Sequence, residues 1–508
     1  MHFVLIKLKD ANLICLSAMI WQNYRFNTKV INGFKILRIM KKIFLPLICA
    51  CAFLSCTDTE DFSSSDIASS KIEFSDEELA SIALDNPRTL DEEEVLQMVL
   101  DFSHSVNGNT RSASSPQLSI ESKYFVKNAS NLVTRSGGLS FDSIPMCRVK
   151  VSNSGQEGYA IVSADERNAG VIAYVPNGKF ENRDETGAGM MLKLSEATLV
   201  SEISEYESKR ISSLKKIAKA LGKDSLNKND IEKVCNTKQI GTRSVAYEKP
   251  QSRIIKLIGP VTKTEWSQDE PYNRLLPKAY VPFSEKYYFE SYYPAGCGII
   301  AGAQALAAVA PNIKIGDVDI DWDYLTAQPT IDYNGDSKSI KMVTTLIKDM
   351  YEKTGSYPNY IEREYGRYED TSIPTVGSSS TGSLELLNYL KNYVSCGQYY
   401  SKYAPDPLLT TINVNEKMPC VAIMGGTHAA TATAKKGSHA WVIDGYAICQ
   451  KTTREILKNY DLYFHANMGW GGPDNGYYKV NADTSTDFET SLGTYNMNFW
   501  EITEIHSK

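Results

Sequence analysis

Blocks of basic residues are missing from this chain. The 54 lysines and arginines stand against 60 aspartates and glutamates, for a net charge of −6. That balance lacks the electrostatic footprint of a nucleic-acid binder, and no nucleic-acid partner is expected. Paired-cysteine motifs are missing too. Ten cysteines are present, but none forms a CxxC pair and their spacing shows no regular framework. Neither a zinc site nor a disulfide scaffold follows. Calcium loops fare no better. The segment "DYNGDSKS" at 332–339 lacks glycine at its sixth position and has Val343 at its twelfth, so it reads as a turn. No metal or other cofactor is expected. There is no internal repeat. Histidine is scarce, with six in 508 residues and only His428, His439, His465 and His506 after Cys297.

What is present begins with an address. From Met40 the chain reads "MKKIFLPLICACAFLSC". Two lysines precede an apolar run, Ile43 to Ser55, whose thirteen residues are too few to span a bilayer. They suit the core of a signal peptide. Cys56 directly after Leu54 and Ser55 resembles the lipidation site of a bacterial lipoprotein, and the acidic "TDTED" behind it resembles an export tag of surface-displayed lipoproteins. Residues 1–39 then read as an upstream mis-start, 40–55 as the signal and 56–75 as a lipid-anchored tether. Membrane contact is expected only through a lipid on Cys56. The expected location is the bacterial outer-membrane surface.

At 508 residues the chain is too long for one ordinary domain. Ser75 followed by acidic residues marks a helix start, and a second helical pattern, "DEEEVLQMVLDFSHSV", follows it. "GYAIVSADERNAGVIAYVPNGKF" reads as two strands joined by a polar turn. Residues 189–222 read as one long helix. Around 242–256 periodicity is lost, as in an exposed connector. Beyond it tyrosine, tryptophan, glycine and asparagine become frequent and strands short. The expected division is 76–250 and 251–508, both of them α+β.

The stretch "YYPAGCGIIAGAQALAAVAP" (292–311) puts Cys297 between two glycines at the start of a small-residue helix. The first amides of a helix have no internal partner, and the positive end of its dipole lies there. Both favour a thiolate and are expected to lower the thiol pKa. Gly296 and Gly298 leave room for a substrate backbone. The alternative is a cysteine that merely fills the core. A nucleophile needs a base, and His439 in "GSHAWVIDGY" lies where a loop enters an apolar strand, rigid yet accessible. Asn467, in "HANMGWGG", can orient an imidazole, and Trp470 can shield that contact. Gln268, in "TEWSQDEPYN", can donate to an oxyanion together with the Cys297 N–H.

Taken in order, "WSQDEPYN", "AGCGIIAGAQALA", "IDWDYL", "GSHAWVIDGY" and "HANMGWGG…GYY" resemble the streptopain family of papain-like cysteine proteases. The resemblance implies a helical subdomain carrying the cysteine and an antiparallel sheet carrying the histidine. It implies Cys297 as nucleophile, His439 as base, Gln268 as oxyanion donor, and Asn467 and Trp470 as supports. Ser380 and Ser438, with Gly296, fall where the family contacts substrate backbone. The segment "EGYAIVSADERNAGVIAYVPNGKF" resembles the family's inhibitory propeptide. The partners implied are protein or peptide substrates and the chain's own prosegment. Met468 and Ser438 depart from the family's usual tryptophan and glycine and touch the rim of the cleft. A thiol acyl transferase on the same fold, or a non-catalytic peptide-binding lipoprotein, remains an alternative.

Overall fold

Local sequence signals set the ends of the helices. In a computed structural model the described residues are 74–75, 78, 81–82, 87–107, 115–127, 143–180, 186–226, 230–231, 251–282, 287–361, 373–414, 418–430, 436–452, 458–480 and 495–508. The expected signal, lipidated Cys56 and most of the connector before 251 lie outside them. The first long helix, α1 (Glu92–Val106), starts at Asp91. The Asp91 carboxylate accepts the Glu94 N–H, and Glu94 reaches back to the Asp91 N–H. Glu92, Glu93 and Glu94 place negative charge at the positive end of the helix. Ser75 and Glu78 make the same reciprocal pair upstream.

Four strands follow: β1 (Gln117–Lys127), β2 (Ser143–Asn153), β3 (Gln156–Ser163) and β4 (Gly170–Val175). They form an antiparallel meander. The polar turn between β3 and β4 is a short 3-10 turn at Glu166–Asn168. Helix α2 (Gly187–Leu221) is capped by the Thr186 hydroxyl, which accepts the Gly189 N–H. It ends where Gly222 takes a left-handed φ of 59°. The helix expected at 189–222 is this one.

Beyond the connector, β5 (Gln251–Ile258), β6 (Lys278–Pro282) and β7 (Tyr288–Tyr292) lead to α3 (Cys297–Val309). Then come β8 (Lys314–Ile315), β9 (Val318–Asp319), α4 (Trp322–Leu325), α5 (Ser337–Lys353), β10 (Tyr357–Tyr360), β11 (Val376–Ser380) and α6 (Ser383–Leu390). The last part holds β12 (Val394–Ser395), β13 (Tyr399–Tyr400), α7 (Pro405–Val414), β14 (Cys420–His428), β15 (Gly437–Thr452), β16 (Lys458–Asn467), β17 (Gly476–Val480) and β18 (Met497–Ser507).

The fold is α+β, as expected. Twelve strands make one sheet with the order β1-β2-β3-β4-β17-β16-β15-β14-β18-β12, with β13 paired to β18 and β5 to β15. The meander of the first half therefore continues into the sheet of the second. The join is β4 against β17, with Ala173 opposite Tyr478 and Tyr174 opposite Tyr477. Residues 71–508 form one unit by contact. One core runs across the join, where Ile161, Met190, Leu194 and Leu199 pack with Met424, Trp441, Phe464 and Tyr478. A second core surrounds α3, with α5 and α6 on one side and Val421, Ile423, Ala440 and Val442 of the sheet on the other. α3 sits this close because its residues are small. A Cβ on Gly302 would lie 2.8 Å from Leu386 Cδ1 and 3.1 Å from the Met350 sulfur. No described helix is long and apolar enough to cross a membrane.

Candidate active site

Cys297 is the first residue of α3, and Gly296 before it holds a φ of 92° that favours glycine. A Cβ on Gly296 would lie 2.8 Å from the Ser379 carbonyl oxygen. Gly296 thus lets β11 lie directly against the turn that presents the cysteine. Ser380, the last residue of β11, pairs with Tyr357 of β10, and its hydroxyl meets the Asn359 side chain. The loop bearing Gln268 is tied to the same turn, because the Gln268 carbonyl accepts the Ala295 N–H at 2.9 Å. The Gln268 residue is buried.

His439 is on β15, opposite Gly426 of β14. The next residue, Ala440, packs in the same core as Cys297, and its backbone N–H, like those of Gly298 and Cys297 itself, favours the thiolate. The sheet therefore brings the histidine strand to the cysteine helix. Beside His439, the Ser438 hydroxyl lies 3.5 Å from that of Thr427.

The imidazole, however, is turned to other partners. Its Nε2 hydrogen-bonds the Met468 carbonyl at 2.7 Å. Its face lies parallel to Trp470, with ring centroids 4.8 Å apart, and Trp441 stacks at 6.1 Å. From the first half of the chain, the start of α2 closes on its edge: a Cβ on Gly187 would lie 2.3 Å from His439 Cδ2. Burial in this stack pushes the His439 pKa down to about 4, against the Met468 carbonyl, which raises it. Burial also pushes the Cys297 thiol above its ordinary value, and the three backbone N–H groups around the sulfur only offset part of that. The lowered thiol pKa expected from the helix start is not what this arrangement has. Desolvation outweighs the helix end as long as no imidazolium faces the sulfur.

Asn467 is buried but does not bond His439 here. Its Nδ2 donates to the Thr264 carbonyl at 2.8 Å, and its Oδ1 accepts from Gln304 Nε2 at 3.0 Å and from the Gly469 N–H at 3.2 Å. The His439 partner is the carbonyl one residue further on. Trp470, 42% exposed, covers the imidazole face rather than an Asn467–His439 contact.

Gln304 is a residue that sequence reasoning passed over. It is wholly buried on α3, and its Oε1 accepts from the Trp266 N–H at 3.0 Å and from the Thr264 hydroxyl at 3.2 Å. With its bond to Asn467 it ties three separate motifs together. The available signal was a single amide within "IIAGAQALAAVA". Gly187 was passed over as well, and nothing local to it marks a contact with a histidine 252 positions away.

The other histidines lie elsewhere. His465 Nδ1 is 2.6 Å from the wholly buried Asp444. His428 ends β14, opposite Gly437 and Met497, and His506 is at the end of β18. Among the described residues no cluster could hold a metal ion.

Residues 266–478 match the family model described as the Peptidase C10 family. No curated protein matches the chain. Among solved structures, a mutant fragment of Prevotella intermedia prointerpain A aligns at 16% identity. That alignment covers 76% of this chain and all of that one, with a TM-score of 0.38. Active wild-type Prevotella intermedia interpain A cysteine protease aligns at 17% identity, over 50% of this chain and 97% of that one, with a TM-score of 0.33.

Proposed function

Residues 266–478 place this chain in the peptidase C10 family and make it a cysteine-type peptidase, and from that premise we propose an endopeptidase made as a latent precursor. The observation that carries the proposal is the placement of Cys297 and His439. They lie on α3 and β15, which pack in one core, and the imidazole contacts the start of α2 at Gly187, the Trp470 ring and the Met468 carbonyl. Residues 76–250 act as an inhibitory prosegment through the start of α2, and 251–508 is the catalytic part.

In the released enzyme His439 turns to Cys297 and takes the thiol proton. The Cys297 sulfur attacks the peptide carbonyl carbon, and its electron pair passes to the carbonyl oxygen. The Gln268 side chain and the Cys297 N–H, which has no partner within the helix, stabilise that oxyanion. When the tetrahedral carbon collapses, His439 gives its proton to the departing amine and a thioester remains. Water then attacks the thioester with His439 again as base, which returns the acid product and the free thiol. Asn467, fixed by Gln304 and Thr264, is one residue from the carbonyl that now holds the ring and offers the imidazole its active-state partner. Ser380 and Ser438, on strands that flank Gly296 and His439, border the substrate backbone.

Lipidation of Cys56 would place the precursor on the outer-membrane surface, with the catalytic part released after cutting. Growth with a radiolabelled fatty acid should label the wild type but not Cys56→Ala. The catalytic assignment is tested with the catalytic part after the connector is cut and the prosegment removed. It should cleave casein and take one equivalent of an epoxide thiol inhibitor at Cys297, and Cys297→Ala should do neither. Casein cleavage by Cys297→Ala would refute it.

A further inference from the structure

Lys479 is wholly buried on β17. A lysine without exposure requires anionic partners, since a bare buried charge is strongly disfavoured. One partner is local: Asp461 of β16 is 3.0 Å away. The other comes from the first half of the chain, where Glu202 of α2 lies 2.5 Å from the same ammonium. Asn168, in the 3-10 turn before β4, contributes its side-chain oxygen at 3.5 Å and donates its amide to Glu202 at 2.6 Å. Burial alone would lower the Lys479 pKa, and Asp461 and Glu202 reverse that and raise it. Next to this cluster, Arg167 pairs with Asp165 and Glu207. Tyr463 of β16 donates its hydroxyl to the Val171 carbonyl of β4. Backbone pairing of β4 with β17 and the shared apolar core complete the contact. None of these bonds depends on the connector being intact.

Resting on the prosegment reading above, we propose that Lys479 is the docking residue by which the catalytic part keeps hold of the prosegment after the connector is cut. Cutting and release are then separate steps, and activation waits for the second. The partner that fits this surface is a β-strand that extends the sheet at β17 together with a carboxylate that reaches Lys479. In this chain β4 and Glu202 supply the two. Glu202 is the informative side to change, because its loss leaves Lys479 paired with Asp461 within the catalytic part.

The experiment uses the full chain, as Cys297→Ala, with a cleavage site for an exogenous sequence-specific protease placed in 236–250. After complete cutting, the two pieces should elute together in gel filtration at micromolar concentration and physiological salt. Glu202→Gln in the same background should weaken retention by about tenfold or more, which corresponds to about 1.4 kcal/mol. Glu202→Lys should separate the pieces outright. Uncut Glu202→Gln should keep the parent's circular dichroism spectrum, which distinguishes lost docking from a misfolded chain. Separation of the parent pieces on cutting would overturn the proposal, as would retention of Glu202→Lys equal to the parent. Cutting the chain that keeps Cys297 tests the other reading. An active, still associated pair would refute inhibition by the prosegment while leaving the docking role of Lys479 in place.

Discussion

At the scale of single residues, the proposed function turns on His439. With its pKa pushed down to about 4 by burial, the ring is neutral at pH 7 and forms no ion pair with Cys297. An unfolded histidine titrates near 6.5, and one released to face a thiolate titrates no lower. The buried arrangement therefore binds fewer protons than the released one between about 6.5 and about 4, and its stability falls as the pH falls through that range. The whole loss by about pH 4 is on the order of 3 kcal/mol. Self-processing of the purified chain, followed on gels between pH 7 and pH 4.5, should accelerate towards the acid end. A rate that falls monotonically with acidification would contradict the link to His439. Gly187→Ala acts on the same contact, since its Cβ would press on the imidazole edge at 2.3 Å. Conversion at pH 7 should be several-fold faster than in the parent, and an unchanged rate would show that the ring is held by other groups.

At the scale of elements, α3 holds the site together. The small residues that let it lie against β14 and β15 were plain in the sequence, as were Cys297 at its start and His439 at the mouth of an apolar strand. The long helix, read at 189–222 and observed at Gly187–Leu221, and the strands of the β3–β4 hairpin could be read from pattern alone. The orientation of the imidazole could not be read, because it depends on Gly187 and Met468, which reach it only through the tertiary fold. Nor could the role of Gln304, since one amide in a small-residue run shows nothing about three partners that lie 38, 40 and 163 positions away. Gln304→Leu keeps the volume and removes all three bonds. It strands the Trp266 N–H and the Thr264 hydroxyl in the core and leaves the Asn467 Oδ1 with the Gly469 N–H alone, at a cost of about 1–3 kcal/mol for each group left unsatisfied. Thermal unfolding should drop by several degrees, and any enzyme that survives should have a lower kcat with little change in KM. Wild-type melting and kcat would argue against Gln304 as the tie between the motifs.

At the scale of the whole molecule, the continuous sheet is the feature that composition and periodicity concealed. Both halves read as α+β, but nothing in either pattern announces that β4 pairs with a strand some three hundred positions later. Long-range pairing of this kind follows from shared burial rather than from local preference. Its consequence is that Trp441, Phe464 and Tyr478 lose much of their cover if 76–250 is deleted. A chain of 251–508 made alone should accumulate largely as insoluble material, and co-production with 76–250 should restore soluble protein. Full solubility of 251–508 alone would show that the shared core is not needed for folding.

Cleavage of the connector by the Cys297 thiol is tested by intact-mass spectrometry of the purified 57–508 chain over time, beside the same chain with Cys297→Ala. The wild type should convert to a species that begins between about 236 and 256, while the variant stays whole. Conversion of both chains alike would contradict it, because the bond would then be cut without the Cys297 thiol.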